Sequence, residues 1–201
     1  KTKTELFAEQ SIGSEKTCDW ILVEGDAITL IECKSLGLTQ RSKAFAETTA
    51  IAADLQKRIV KAVQAFERTR MALEKGIVGL EHLKDKTTRN LIVFYDDIFL
   101  FNSPMYRELV EPELQKLSLD KVPFQVCAIR DLEYVIPLLG AQPLAKTLDE
   151  KCADQGKTTW DIGTYVADIL RERGESSESE NPILKKKFDE LFDELAPEGA
   201  A

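Results

Sequence analysis

Two apolar runs near the start of the chain predict a β-hairpin. Residues 17–24 (TCDWILVE) and 27–34 (AITLIECK) are rich in β-branched and aromatic residues, which favour strands. Gly25 and Asp26 separate the runs, and a glycine at the first central position suits a two-residue type II′ turn. We therefore expect the two runs to pair as antiparallel strands closed by this turn.

Both faces of this hairpin are apolar. Side chains alternate between the two faces of a strand, so the position of the turn fixes which residues share a face. Apolar residues on both faces are typical of strands that are covered on both sides, and they predict a central place in a sheet. One face carries Ile21, Val23, Ile28 and Leu30, and the other carries Cys18, Trp20, Leu22, Ile31 and Cys33.

Helical and extended patterns alternate after the hairpin. Apolar residues recur at helical spacing through residues 43–75, which predicts a long helix that ends at Gly76. Residues 4–12 fit either a strand or a short helix. The pattern then predicts a polar connection at 80–90, a strand at 90–95, a helix at 105–117, a strand at 123–129 and a short helix from Asp131 to near Pro137. This order predicts a mixed α/β sheet with helices on both faces.

The C-terminal part of the chain is predicted to be helical. A further helix is expected at 158–172, and the polar segment after it has the composition of a flexible linker. The last helix carries an apolar stripe that either packs on the domain or docks to a partner. We divide the chain into a main domain at 1–140, a helical extension packed on it at 141–172, a flexible linker at 173–181, and a C-terminal amphipathic helix and tail at 182–201.

Composition limits the classes of function. A net charge of −8 argues against a broadly basic surface that coats nucleic acid. A local basic patch is still compatible with this net charge. We interpret Lys57, Arg58 and Lys61 as a solvated helix face or, alternatively, as phosphate contacts.

No apolar run is long enough to span a membrane and no signal peptide is visible, so we expect a cytoplasmic protein. The start at Lys1 rather than at methionine indicates a fragment of a larger protein.

The cysteines add to the cytoplasmic interpretation. Cys18, Cys33, Cys127 and Cys152 follow no zinc-binding spacing, and four cysteines in 201 residues do not make a disulfide scaffold. Each lies within or beside an apolar segment. We interpret them as reduced, mostly buried thiols, with a cross-strand disulfide between Cys18 and Cys33 as the alternative.

The hairpin brings three charged residues together. With the turn at Gly25, Asp19 lies directly across from Glu32, and Lys34 lies on the same face as both carboxylates. Opposed Cβ atoms are about 4.5–5.5 Å apart, so the two like charges repel unless a cation lies between them. Mg²⁺ prefers such oxygen ligands. The alternative is a strand end that reaches solvent, where Asp19 pairs with Lys34.

This spacing resembles a nuclease signature. Asp19, followed after twelve residues by Glu32-Cys33-Lys34, is similar to the D…(D/E)xK motif of the PD-(D/E)XK, or restriction-endonuclease-like, nuclease superfamily. The similarity covers roughly residues 4–135. It implies an α/β fold with a restriction-endonuclease-like mixed β-sheet flanked by helices, to which the C-terminal helical segment is an addition. The main domain at 1–140 is then the nuclease-like domain.

The resemblance also implies roles for these residues. Asp19 and Glu32 would ligate Mg²⁺ or Mn²⁺ together with the backbone carbonyl of Cys33, and Lys34 would orient the attacking water and stabilise charge on the phosphate. The implied function is a metal-dependent nuclease acting on nucleic acid, with DNA favoured over RNA. The alternative is an inactive nuclease-like interaction module within a larger protein.

Many members of this superfamily add a glutamate from upstream and a glutamine from the helix after the motif. Glu5 and Glu9 are the upstream candidates here, unless the glutamate precedes the start of this chain. Gln56 is preferred to Gln64 as the glutamine, because it flanks the apolar stripe about 100° from Leu55. The alternative is that Gln56 is an ordinary polar helix residue.

Overall fold

The computed structural model describes residues 4–35, 48–95, 102–139 and 142–175, together with Lys186 and Glu190. Apart from Lys186 and Glu190, the predicted C-terminal helix and tail lie outside the described residues, as do most of the predicted linker and the start of the predicted long helix. Within the described residues, no helix combines the length and the apolar character needed to cross a membrane.

The described elements form a mixed sheet with helices on both faces. The strands are β1 (Thr4–Ala8), β2 (Ser11–Ile12), β3 (Glu15–Lys16), β4 (Trp20–Glu24), β5 (Ala27–Lys34), β6 (Thr87–Phe94) and β7 (Gln125–Ala128). The α-helices are α1 (Thr48–Lys75), α2 (Pro104–Lys116), α3 (Ile129–Leu139), α4 (Leu144–Ala153) and α5 (Ile162–Glu172), with a 3₁₀ turn at Glu81–Leu83. The main sheet has the order β1-β4-β5-β6-β7, and β2 pairs with β3 separately. The mixed α/β class is confirmed.

The hairpin pairs in the predicted register. Strands β4 and β5 are antiparallel, with Trp20 opposite Ile31 at one end and Glu24 opposite Ala27 at the turn. Gly25 adopts a φ of 64°, which a glycine supplies without steric cost. Strand β1 pairs antiparallel with β4, whereas β6 and β7 continue the sheet in parallel with β5. Strand β5 is therefore the central strand, as expected.

Two hydrophobic cores cover the two faces of the sheet. One core joins the face of Ile21, Val23, Ile28 and Leu30 to α1. The other lies between Leu91 and Val93 of β6 and the helices α3, α4 and α5. The expected assignment of Cys18 to this second side is wrong, because Cys18 packs in the α1 core. Face alternation fails there since Cys18 precedes the first paired residue of β4.

Several element boundaries differ from the sequence prediction. Strand β6 begins at Thr87 rather than at 90, because parallel pairing with β5 extends it through polar residues. Helix α3 continues past Pro137 to Leu139, and α5 begins at Ile162. Helix α4 lies within the predicted helical extension at 141–172, but the sequence pattern assigned no separate helix to these residues. Its buried face includes Thr147 and Lys151, so the apolar period that marks a helix is interrupted.

A buried carboxylate joins the hairpin to α4. Glu24 is 8% exposed, and its two carboxylate oxygens accept from the backbone N–H groups of Leu144 at 3.1 Å and Ala145 at 3.2 Å. These are N–H groups that the first turn of a helix cannot satisfy internally. A negative charge there also interacts favourably with the helix dipole. Glu24 thus fixes the position of α4 against the edge of the turn.

We predict that Glu24→Gln lowers the free energy of unfolding by about 1–2 kcal/mol. The amide keeps the shape of the side chain but turns a donor toward one of the two helix N–H groups. Urea unfolding measures the change. The matched control is Asp26→Asn, which removes the same charge from an exposed position in the same turn. Equal stability of the two variants would show that Glu24 does not hold α4.

Candidate metal centre

The path of the chain before β4 places Asp19. The N–H of Cys18 donates to the Thr69 hydroxyl of α1 at 2.8 Å, and the Cys18 side chain is fully buried. The Cys18 carbonyl accepts from the Thr17 hydroxyl at 3.0 Å. The chain therefore turns toward α1 at this point, and the ladder between β4 and β5 stops at Trp20.

The Asp19 carboxylate takes the place of the missing ladder acceptor. The N–H of Cys33 donates to Asp19 Oδ2 at 2.7 Å, and the N–H of Asp19 donates to Glu32 Oε2 at 3.2 Å. The prediction that Asp19 and Glu32 meet across the hairpin is confirmed. Each carboxylate is held by a main-chain N–H of the other strand, so both are positioned by the backbone and not by rotamer preference alone.

The carbonyl of Cys33 points to the same side as Asp19. In an antiparallel pair, the N–H and C=O of one residue face the same neighbouring strand. The Cys33 N–H faces Asp19, while the next carbonyl, that of Lys34, faces β6 and accepts from the N–H of Tyr95 at 2.9 Å. Because β4 has no paired residue at this level, the Cys33 carbonyl has no ladder partner in β4.

Lys34 pairs with Glu32 rather than with Asp19. The Lys34 ammonium forms a short ion pair with Glu32 Oε1, and the Glu32 side chain is buried. Burial raises the pKa of Glu32; the Lys34 ammonium opposes this shift and the Asp19 carboxylate adds to it. The expected alternative, in which Asp19 serves as the partner of Lys34, is therefore not the arrangement found.

The donor set fits a hard cation. Two carboxylates and a main-chain carbonyl are oxygen ligands, which suit Mg²⁺ or Mn²⁺ when water or substrate completes the coordination. Within the described ranges, no three His, Cys, Asp or Glu side chains form a metal-binding group. A cation at this position would therefore have two side-chain ligands, Asp19 and Glu32. The backbone carbonyl of Cys33 would be a third ligand, and water or substrate would fill the remaining coordination positions.

The structure places Gln56 away from these contacts. Its Nε2 donates to the carbonyl of Leu109 at 2.6 Å and so ties α1 to α2. Gln64 is exposed, as expected. A catalytic role for Gln56 stays a prediction, because its amide would have to release Leu109 to act elsewhere.

Of the two upstream glutamates, Glu9 lies nearer the centre. Glu5 pairs opposite Val23, and its carboxylate is 3.5 Å from the ring of His82. Glu9 follows the last pair of β1 and forms an ion pair of 2.6 Å with Lys16. Glu9 raises the pKa of Lys16 most strongly, and the Asp19 carboxylate also contributes. Lys16 was missed by the sequence analysis because β3 has only two residues.

The cysteines are free but not mostly buried. Cys18 and Cys127 are buried, whereas Cys33 and Cys152 are exposed, so the burial prediction is wrong for two of the four. Burial raises the pKa of Cys18 to about 12. Burial also raises the pKa of Cys33, with a further contribution from the Asp19 carboxylate. Neither thiol beside the centre is thus an activated nucleophile.

Comparisons with family models, curated proteins and solved structures find no match to this chain. The function must therefore be argued from the geometry of the centre and from the charges around it.

The raised pKa of Glu32 predicts a pH dependence of stability. An acid with a raised pKa in the folded state stabilises the fold when protonated, and this contribution is lost as pH rises through that pKa. With chelator present, Glu32→Gln should therefore lose less stability than the parent between pH 4.5 and pH 7, a window set by the ordinary value of 4.5. Urea unfolding across this range tests it.

The control for this prediction is Lys34→Met, which removes the group that opposes the shift. Stability of the Lys34→Met variant should fall more steeply with pH than that of the parent, because the pKa of Glu32 rises further. Parallel curves for the parent and Glu32→Gln would contradict the assigned burial of an ionised Glu32.

Proposed function

We propose that this chain is a metal-dependent nuclease domain with a restriction-endonuclease-like fold. The observation that carries the proposal is the pairing of Asp19 with the backbone of Cys33 and with Glu32, at the end of the central strand and beside Lys34. The element order of hairpin, long helix and two parallel strands supports it. The cytoplasmic location expected from the sequence stays a prediction.

The reaction proposed is hydrolysis of a phosphodiester bond. Water attacks phosphorus, one P–O ester bond breaks, and the leaving alkoxide takes a proton to become an alcohol. When bound, Mg²⁺ or Mn²⁺ would act as a Lewis acid that favours deprotonation of water and balances charge. Asp19, Glu32 and the Cys33 carbonyl would hold it. The Lys34 ammonium has three N–H donors. It can therefore retain its ion pair with Glu32 and still donate to a phosphate oxygen that gains negative charge.

A second candidate is an inactive module with the same fold. The Lys34 ammonium already compensates Glu32, and the N–H of Cys33 already compensates Asp19. This internal balance needs no cation, which favours the inactive alternative. Cation binding by the unliganded protein separates the two candidates.

A basic stripe on α1 supports nucleic acid as the substrate. Lys57, Lys61, Arg68 and Lys75 are four or seven residues apart, so they share one face of the helix over roughly 27 Å. The three lysines are exposed and form no ion pair within the part of the chain that the structure describes. The acids of α1 pair elsewhere, Asp54 with Arg58, and Glu67 and Glu74 with Arg70.

Arg68, the third residue of this stripe, lies beside the segment that leads to the centre, and its guanidinium is 3.8 Å from a carboxylate oxygen of Glu15. The Arg68 guanidinium donates to the carbonyl of Lys16 at 2.8 Å, and Lys16 is close enough to Asp19 to feel its charge. In a chain of net charge −8, three exposed lysines on one helix face, without ion-pair partners among the described residues, provide a local attraction for phosphates. DNA, the polymer favoured from the sequence, is the first substrate to test, and other domains of a larger protein would set its specificity.

We predict that Asp19→Asn and Lys34→Ala each reduce Mn²⁺-dependent cleavage of DNA on the order of 10²-fold or more. The asparagine still accepts the N–H of Cys33, so the change removes charge and spares the local backbone. Gel-based cleavage assays and circular dichroism measure activity and fold. Lys84→Ala is the control for loss of an exposed lysine and should retain the parent rate.

Calorimetry with Mn²⁺ in the absence of DNA completes the experiment. The parent should bind, and Asp19→Asn should bind at least tenfold more weakly. A parent that neither cleaves DNA nor binds Mn²⁺ would replace the nuclease with the inactive module. Cleavage at the parent rate by Lys34→Ala would remove Lys34 from the mechanism.

For the basic stripe, the double change Lys57→Gln with Lys61→Gln should weaken duplex DNA binding and reduce the salt dependence of log K by about 2. Fluorescence anisotropy with chelator measures binding without cleavage. The control is Lys84→Gln with Lys116→Gln, which removes the same charge outside α1. Equal losses from both pairs would mean that only net charge matters.

A further inference from the structure

A cavity lies at the opposite end of the parallel strands from the candidate metal centre. Its volume is about 230 Å³, and its walls come from the starts of β6 and β7, from α2 and α4, and from the segment before α5. The residues that matter to its chemistry are Arg89, Arg107, Phe124, Leu148, Cys152 and Thr158. Arg89 lies opposite Thr29 of β5, three residues before Glu32, so the cavity is separate from the Asp19 centre.

A fully buried lysine stands behind this cavity. Lys151 is 0% exposed, and its ammonium donates to Gln125 Oε1 at 2.7 Å and to the carbonyl of Thr158 at 2.8 Å. Gln125 and Thr158 both line the cavity. Burial lowers the pKa of Lys151 to about 8, so the group is still largely cationic at neutral pH. Both of its hydrogen-bond partners are neutral.

Only one of the three cationic side chains around the cavity has an acidic partner among the described residues. Arg89 forms a two-pronged ion pair with Asp149 and is neutralised. Lys151 and Arg107 form no ion pair with any described residue. The carboxylate of Asp161 attracts Lys151 from a distance, but it is bound to the N–H and hydroxyl of Thr164. A buried charge without a counter-charge is costly, and an anion in the cavity, beside the Gln125 and Thr158 that bind the Lys151 ammonium, would reduce that cost.

We propose that this cavity binds a small phosphate monoester. Such a group carries a charge of about −1.5 to −2 at neutral pH, which matches the two cations, Lys151 and Arg107, that lack an ion-pair partner. Arginine suits it further, because its planar fork of donors binds phosphate oxygens in pairs. Phe124 and Leu148 provide an apolar wall for the organic part of the ligand. This site is independent of the nuclease proposal.

Cys152 makes the proposal testable with a chemical probe. Cys152 and Cys33 are the two exposed thiols of the described residues, and only Cys152 lines the cavity. Ribose 5-phosphate should slow alkylation of Cys152 by iodoacetamide at least fivefold and with saturation, as measured by mass spectrometry of the native protein. The rate at Cys33 should be unchanged, and ribose without phosphate should protect neither thiol.

Two variants on neighbouring helices complete the test. Arg107→Gln changes an exposed side chain at the cavity and should raise the half-protecting concentration of ribose 5-phosphate about tenfold. Lys146→Gln removes an exposed charge from α4 outside the cavity and should leave it unchanged. Absence of saturable protection, equal effects of the two variants, or protection by sulfate as strong as by ribose 5-phosphate would each overturn the proposal.

Discussion

The hydrogen bond from the Cys18 N–H to the Thr69 hydroxyl determines the geometry of the candidate centre. It joins Cys18, two residues before β4, to the C-terminal part of α1 and draws the chain out of the sheet. If β4 continued by two more pairs, the Cys18 carbonyl would accept the N–H of Cys33. The Asp19 carboxylate takes it instead. The position of an acidic side chain, and the open carbonyl of Cys33, therefore both depend on how α1 packs on the sheet.

The sequence predicted those features of the fold that depend on local rules of turn and strand geometry. A two-residue turn at Gly25 fixes the register, so the meeting of Asp19 and Glu32 followed from counting residues. The predicted face of Cys18 was wrong because side chains alternate between faces only while the strand continues. The strand ends where the Cys18 N–H bonds to Thr69, which is 51 residues away in the sequence. Helix α4 was not distinguished within the predicted helical extension because Lys151 occupies a core position, and no local pattern shows that Gln125 and Thr158 bind its ammonium.

Positive and negative charges are distributed unevenly over this acidic chain. The acids of α1 are neutralised by Arg58 and Arg70, which leaves the exposed lysines of the same helix without partners. Glu24 neutralises the start of α4, whereas Lys151 near the end of the same helix has only neutral partners. A net charge of −8 therefore conceals two local excesses of positive charge, one exposed along α1 and one centred on the buried Lys151.

The Glu32–Lys34 pair is difficult to explain as a device for stability. Both residues lie on the central strand on the face that packs against α1, and burial disfavours ionisation of Glu32. Apolar residues at such positions commonly give equal or greater stability than a buried ion pair. Asp19 raises the cost, because it adds a second negative charge beside the first. A cluster that opposes the packing of the core around it is characteristic of a functional site, and under the proposed function a bound cation would offset the negative charge that Asp19 adds.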